Sequence, residues 1–177
     1  PDIAIFSKAL GNGTPIAAII GKKKFMNCAQ NSFISSTMWT ERIGFIAALE
    51  TLKKMKRKNI HNKIVKNGLY IKKKLFKISK KLELNLDIKG FDSMPTFIFN
   101  YKNSNELYTY FTQEMLDRGF LASNSMTISY AHSLNIINDY LKNTEIVFKK
   151  IKILLKNKSK IPLKNKQRQI NFKRLVK

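Results

Sequence analysis

The cluster Gly11-Asn12-Gly13-Thr14-Pro15, set between two apolar runs, constrains this chain more than any other feature. Glycine and asparagine reach backbone conformations closed to most residues, and proline cannot continue a helix, so the cluster is a turn. The flanking runs, residues 1–6 and 16–20, then read as short strands. The first is expected to be buried, and the second is closed by Gly21. A polar elbow, Ser7-Lys8, joins the first strand to the turn.

Further along, residues 22–30 suit a short helix and 33–35 a brief extended piece. Thr40 is placed to cap the next helix, with Glu41 at its positive end. That helix runs to about Lys56. Its stretch 43–49 is apolar nearly all round, which predicts burial. A second, amphipathic helix spans about 59–80, with Ile60, Ile64, Leu69 and Leu75 among its inward residues. Beyond it, Leu84, Leu86 and Ile88 alternate, and 96–100 follows Pro95 as a strand. Residues 105–118 read as a helix ended by Gly119, and 120–121 and 127–129 as short strands. The last helix, 134–155, places Tyr140, Val147, Ile151 and Leu154 on one stripe. Residues 161–177 are basic and aperiodic, as a surface tail would be. This order predicts a compact α+β lobe following a piece of a larger α/β domain.

Composition limits the partners. The chain is 44% hydrophobic, enough for a core, but no window of about 18 apolar residues suggests a membrane span. Its opening, Pro1-Asp2-Ile3, resembles no secretory signal, and the expected location is the cytoplasm. The one cysteine, Cys28, excludes an internal disulfide and reads as a small buried apolar residue; no metal is expected. The 34 Lys and Arg against 11 Asp and Glu give a net charge of +23, which attracts polyanions at low salt. Runs such as Lys53-Lys54 and Lys72-Lys73-Lys74 nevertheless fall on polar faces of predicted helices. No aromatic platform accompanies them, so a basic nucleic-acid-binding protein is the alternative and not the main reading.

By position alone Lys8 is one candidate among many lysines, most of which are solvated. At the end of a sheet, desolvation favours the neutral amine of a lysine, the form that attacks an aldehyde. The stretch Phe6-Ser7-Lys8-Ala9-Leu10-Gly11-Asn12-Gly13-Thr14-Pro15-Ile16 closely resembles the cofactor-lysine segment of class III aminotransferases, nearest to the glutamate-1-semialdehyde aminomutase subgroup. The resemblance continues through Phe33-Ile34-Ser35-Ser36-Thr37-Met38-Trp39-Thr40-Glu41-Arg42-Ile43-Gly44. It resumes at Phe111-Thr112-Gln113-Glu114-Met115-Leu116-Asp117-Arg118-Gly119 and at Ser129-Tyr130-Ala131-His132. The closing Phe172-Lys173-Arg174-Leu175 also looks like that family's end.

The resemblance implies the C-terminal part of a fold-type I, pyridoxal-phosphate-dependent transferase of the α/β class. Residues 1–57 would be the end of the large cofactor domain, 58–157 the small α+β domain and 158–177 a basic tail. It implies that Lys8 holds pyridoxal 5'-phosphate as a Schiff base and moves protons between substrate carbons. Thr37, with Ser36 beside it, would meet the cofactor phosphate of a twin subunit; on its own residues, Thr37 is equally a turn or capping residue. Ser7 would touch the phosphate or simply end the strand. Glu41 and Arg42 are expected as helix-start charges in a local ion pair, His61 as solvent-facing, His132 as a structural hydrogen-bonder and Trp39 as buried. The implied partners are an amino donor, a carbonyl acceptor, a second copy of the chain and the N-terminal portion of the enzyme. That portion would carry the acid for the pyridine nitrogen, a ring-stacking aromatic and a phosphate loop. An inactive fragment of such an enzyme is the remaining alternative.

Overall fold

The computed structural model describes residues 1–35 and 37–169. The chain divides into two units, Pro1–His61 and one that begins at Asn62. In the first, strand β1 (Ile3–Phe6) pairs antiparallel with β2 (Ala18–Gly21), with Ile3 opposite Gly21 and Phe6 opposite Ala18. Between them lie a 3-10 turn (Lys8–Leu10) and the predicted Gly-rich turn, where the Thr14 hydroxyl donates to the Gly11 carbonyl at 2.8 Å. A short helix α1 (Lys23–Met26) and a second 3-10 turn (Asn27–Asn31) lead to α2 (Arg42–Arg57).

Several expectations for this unit need correction. β1 is not buried: Ile5 is 70% exposed. Nor is the apolar stretch of α2, where Gly44 and Ala48 are covered while Ile43, Phe45, Ile46 and Leu49 are exposed. A two-stranded ribbon provides one layer, and one layer covers only one side of what packs on it. The cap of α2 is Glu41, not Thr40; its carboxylate accepts from the Ile43 N–H at 2.9 Å. Cys28 is exposed, and its thiol donates to the Phe25 carbonyl at 2.8 Å.

The second unit holds the hydrophobic core. Helix α3 (Ile60–Lys81) contributes Ile71, Leu75 and Ile78, spaced four and three residues apart on one face. Leu69, two residues before Ile71, falls on the opposite side and is 50% exposed, against expectation. β3 (Leu86–Lys89) pairs antiparallel with β4 (Thr96–Phe99). Phe97 and Phe99 point inward from alternate positions of β4 and are buried. Helices α4 (Ser104–Leu116) and α5 (Leu134–Lys156) close over them. The Phe97 ring lies 5.4 Å from Phe99, 4.9 Å from Phe111 and 5.3 Å from Phe148, each edge to face. That arrangement suits the quadrupoles of aromatic rings.

Residues 120–121 and 127–129 are not strands. The segment runs beside β4 and the residues before it without forming a ladder: Thr96 and Ser125 make an isolated bridge, and the N–H groups of Phe97, Met126 and Ile128 donate to the carbonyls of Asn124, Pro95 and Ser93, each at 3.0 Å. Residues 161–169 are also more than a loose tail. Ile161 is buried in the core, the Gln113 amide donates to the Pro162 carbonyl at 2.9 Å, and the Arg168 guanidinium stacks 4.0 Å above the Tyr108 ring. Apolar residues at 161 and 163 give this basic stretch a reason to dock. The rest of the expected tail, 170–177, lies outside the described residues.

Gly68 sets how closely α3 approaches the loop after β3, because a Cβ there would overlap the Asp92 carbonyl oxygen. One turn further on, Lys72 donates to the Gly90 carbonyl at 2.6 Å and to the Asp92 carboxylate at 2.7 Å. Gly68→Ala is expected to lower stability by roughly 2 kcal/mol or more through overpacking; an unchanged urea midpoint followed by circular dichroism would contradict this. Burial pushes the Tyr140 phenol up to about 12. The folded chain thus keeps this proton more tightly than the unfolded chain, where the phenol titrates near 10. Stability from Tyr140 is therefore full below pH about 10 and is lost as the pH climbs to about 12. Alkaline melts of Tyr140→Phe should fall less steeply over that window than those of the parent.

Candidate active site

Three features converge at the end of β1. Ser7 is extended, with φ −156° and ψ −163°, and Lys8 turns back with φ +51°. The left-handed region costs a residue with a side chain about 1–2 kcal/mol, so neighbouring bonds must hold it there. They do: the Ser7 carbonyl accepts from the Leu10 N–H at 3.1 Å, and the Lys8 carbonyl accepts from Gly11 and Asn12, both at 3.2 Å. Gly11 is itself irreplaceable on steric grounds, because a Cβ there would overlap the Thr14 carbonyl oxygen.

The Lys8 amine has no hydrogen bond or ion pair among the described residues and is exposed; the expected desolvation is absent there. Ser7 is exposed as well, and its hydroxyl caps nothing. Thr37 lies in an exposed turn ahead of α2. Ser7 and Lys8 thus share one elbow, and no hydrogen bond joins Thr37 to it among the described residues. Ser36 lies outside the described residues. Cavities of about 290, 200 and 400 Å³ lie in the second unit, and none of these three is lined by Lys8, Ser7 or Thr37.

The carboxylates of the first unit are engaged elsewhere. Asp2 pairs with Lys22 at 2.8 Å, Glu41 caps α2, and Glu50 pairs with Lys53 at 2.7 Å. The hydrogen bond from Lys53 holds the Glu50 carboxyl below its usual range. No ion pair joins Glu41 to Arg42 among the described residues. His61 is exposed, as expected. His132 has a structural bond: its Nδ1 accepts from the Ser129 N–H at 3.1 Å, while its carbonyl accepts from the Asn67 amide at 3.1 Å. Trp39 is 61% exposed instead of buried. No motif points to the 200 Å³ cavity, whose wall brings Ser123, Ser125 and Thr127 together with His132 and Tyr140. Its hydroxyls come from a loop without periodicity, the kind of segment that leaves no pattern to read.

The chain matches the Aminotransferase class-III family over residues 1–151, and it belongs to that family. It is 33% identical over 125 residues to a glutamate-1-semialdehyde 2,1-aminomutase of Methanosphaera stadtmanae, covering 66% of this chain and 27% of that protein. Against a 3-aminobutyryl-CoA aminotransferase of Cloacimonas acidaminovorans it is 30% identical over 119 residues, covering 64% of this chain and 28% of the relative. Among solved structures, the PLP internal aldimine form of FumI from Sphingopyxis sp. MTA144 superposes with a TM-score of 0.80 at 23% identity, covering 88% of this chain and 38% of that one. The fold is therefore that of part of a fold-type I transaminase, and the chain spans under a third of the length of these two curated relatives. Family membership and the PLP-bound neighbours indicate pyridoxal phosphate as the cofactor.

The residues present fit one half of that cofactor. A primary amine without a partner among the described residues, on a hydrogen-bonded elbow, suits its aldehyde, and the hydroxyls of Ser7 and Thr37 are donors of the kind a phosphate takes. For the ring nitrogen the first unit has no uncommitted carboxylate. The elbow itself can be tested. Gly11→Ala should speed amide hydrogen exchange at residues 10–14 by roughly tenfold or more, because the turn opens locally; unchanged protection would show that the close approach is not needed.

Proposed function

We propose that this chain supplies the cofactor-lysine part of a pyridoxal-phosphate-dependent aminotransferase or aminomutase, with Lys8 as the residue that joins the cofactor. The observation that carries this reading is Lys8, held at φ +51° on the elbow after β1 within the segment matched to the family, its amine without a partner among the described residues. When bound, the cofactor supplies an electron sink that stabilises negative charge on a substrate carbon. The work of the chain is positional. The elbow holds the Lys8 Nζ at the end of β1, where in its neutral form the amine can attack a carbonyl and later carry a proton between adjacent substrate carbons. Ser7, Ser36 and Thr37 offer hydroxyls to phosphate oxygens, Ser36 and Thr37 toward the cofactor of a second copy in a homodimer. The substrates are an amino donor and a carbonyl acceptor, and the setting is the cytoplasm. The carboxylate for the ring nitrogen would come from the N-terminal portion of the enzyme, on this or a separate polypeptide, which would also cover the exposed apolar residues of β1 and α2.

Borohydride reduction of the full chain with pyridoxal phosphate, with and without such a polypeptide, tests the reading. Peptide mass mapping should find the cofactor mass on Lys8 at near one per chain and well above any other lysine. Lys8→Ala should lose that label while leaving sparse surface labelling unchanged. Labelling of Lys8 no higher than that of its many exposed counterparts would overturn the assignment in favour of an inactive fragment.

A further inference from the structure

Helices α3 and α5 face each other across a groove of about 290 Å³ in the second unit. From α3 it receives Lys74, Lys77 and Lys81, and from α5 Asn138, Lys142 and Glu145. The spacing of three and four residues on each helix puts these side chains in two opposed rows. The floor is apolar, made by Ile78 and Leu141, both nearly buried. Four exposed lysines thus border this apolar floor, with Glu145 as the single carboxylate of the lining. That carboxylate is already shared, at 2.8 Å from Lys81 and 3.7 Å from Lys149. The hydrogen bond from Lys81 holds its carboxyl below the usual range, so it contributes its full negative charge near neutral pH and still leaves the groove positive. Among the described residues, Lys77 and Lys142 have no ion pair or hydrogen bond.

Asn138 adds a directional element. Its Oδ1 accepts from the Tyr70 hydroxyl at 2.7 Å, which fixes the amide and leaves its NH₂ group to donate elsewhere. Lys74 sits 5.4 Å from the centre of that same Tyr70 ring. Donors outnumber acceptors in the groove, an arrangement that suits an anion. The other two cavities differ: one has no lysine in its wall, and the third sets Lys152 and Lys156 beside Glu83, which pairs with Lys152 at 3.0 Å. The third cavity still has one positive charge in excess, against three in the α3–α5 groove.

We propose that the α3–α5 groove binds a small oligophosphate, either an inorganic one or the phosphate tail of a nucleotide, through Lys74, Lys77, Lys142 and the Asn138 amide. Several closely spaced negative charges match several ammonium groups better than one charge does. The proposal is independent of Lys8.

Calorimetric titration of the full chain with inorganic tripolyphosphate, and separately with ATP, is the test. Saturable binding near one per chain is expected. Lys77→Gln with Lys142→Gln should weaken it roughly tenfold, and Asn138→Leu should weaken it severalfold. Lys23→Gln with Lys24→Gln removes the same charge from the first unit and should leave binding unchanged. Equal affinities for the two ligands identify phosphate as the whole determinant, and tighter nucleotide binding adds a base on the apolar floor; both support the site. Absence of saturation, or an equal loss in the two double variants, overturns it as diffuse charge. Tighter binding of duplex DNA that survives Lys77→Gln with Lys142→Gln overturns it as well, in favour of a nucleic-acid surface.

Discussion

The second unit depends on where the Phe97 ring sits. Placed on the inward side of a four-residue strand, it meets Phe99 on its own strand, Phe111 on α4 and Phe148 on α5, all at edge-to-face angles. One side chain thereby fixes two helices against the β3–β4 ribbon. The remaining apolar residues, Ile71, Leu107, Met115, Val147 and Ile151, fill in around it and are fully buried. The residues 161–169 then clip onto the outside of α4, with Ile161 as anchor and Arg168 lying flat on Tyr108. A two-stranded ribbon alone is marginal, but here two helices cover it.

The first unit is built on the opposite principle. Its buried residues are mostly small, Gly11, Gly44 and Ala48, and its order comes from turn chemistry more than from apolar burial. Gly44 brings α2 so near the chain after the turn that a Cβ would lie 3.2 Å from the Pro15 carbonyl. Such packing gives accurate backbone placement with little hydrophobic stabilisation, because small side chains remove little apolar area from water. The large apolar residues Phe33, Trp39, Phe45 and Leu49 remain exposed.

Much of this organisation was legible in the residues, and what was not has identifiable causes. Long periodic segments gave α3, α4 and α5, and the Gly-Asn-Gly-Thr-Pro cluster gave the β1–β2 turn, because period and turn chemistry are local properties. The cap of α2 shifted from Thr40 to Glu41, since a longer side chain can fold back onto the Ile43 N–H. Burial failed as an inference for β1, Trp39 and Cys28, because apolar character says what a residue favours and not whether a neighbour is present to cover it. The segments 120–121 and 127–129 looked like strands from composition, but a strand needs a ladder, and only Thr96 and Ser125 form a bridge there. For the candidate site, the Lys8 segment could be read by its likeness to a family and not by physics alone. One lysine among so many has no distinguishing spacing, and its left-handed backbone is visible only in three dimensions.

The contrast between the two units has a thermodynamic corollary. A region whose buried residues are mainly glycine and alanine has a low free energy of local opening, so the elbow with its amine belongs to the most readily melted part of the chain. Any ligand that needs the elbow formed would see its apparent affinity scaled by the fraction of molecules in which these first sixty-one residues are ordered. Occupancy at position eight and the melting of this unit would then be one linked equilibrium.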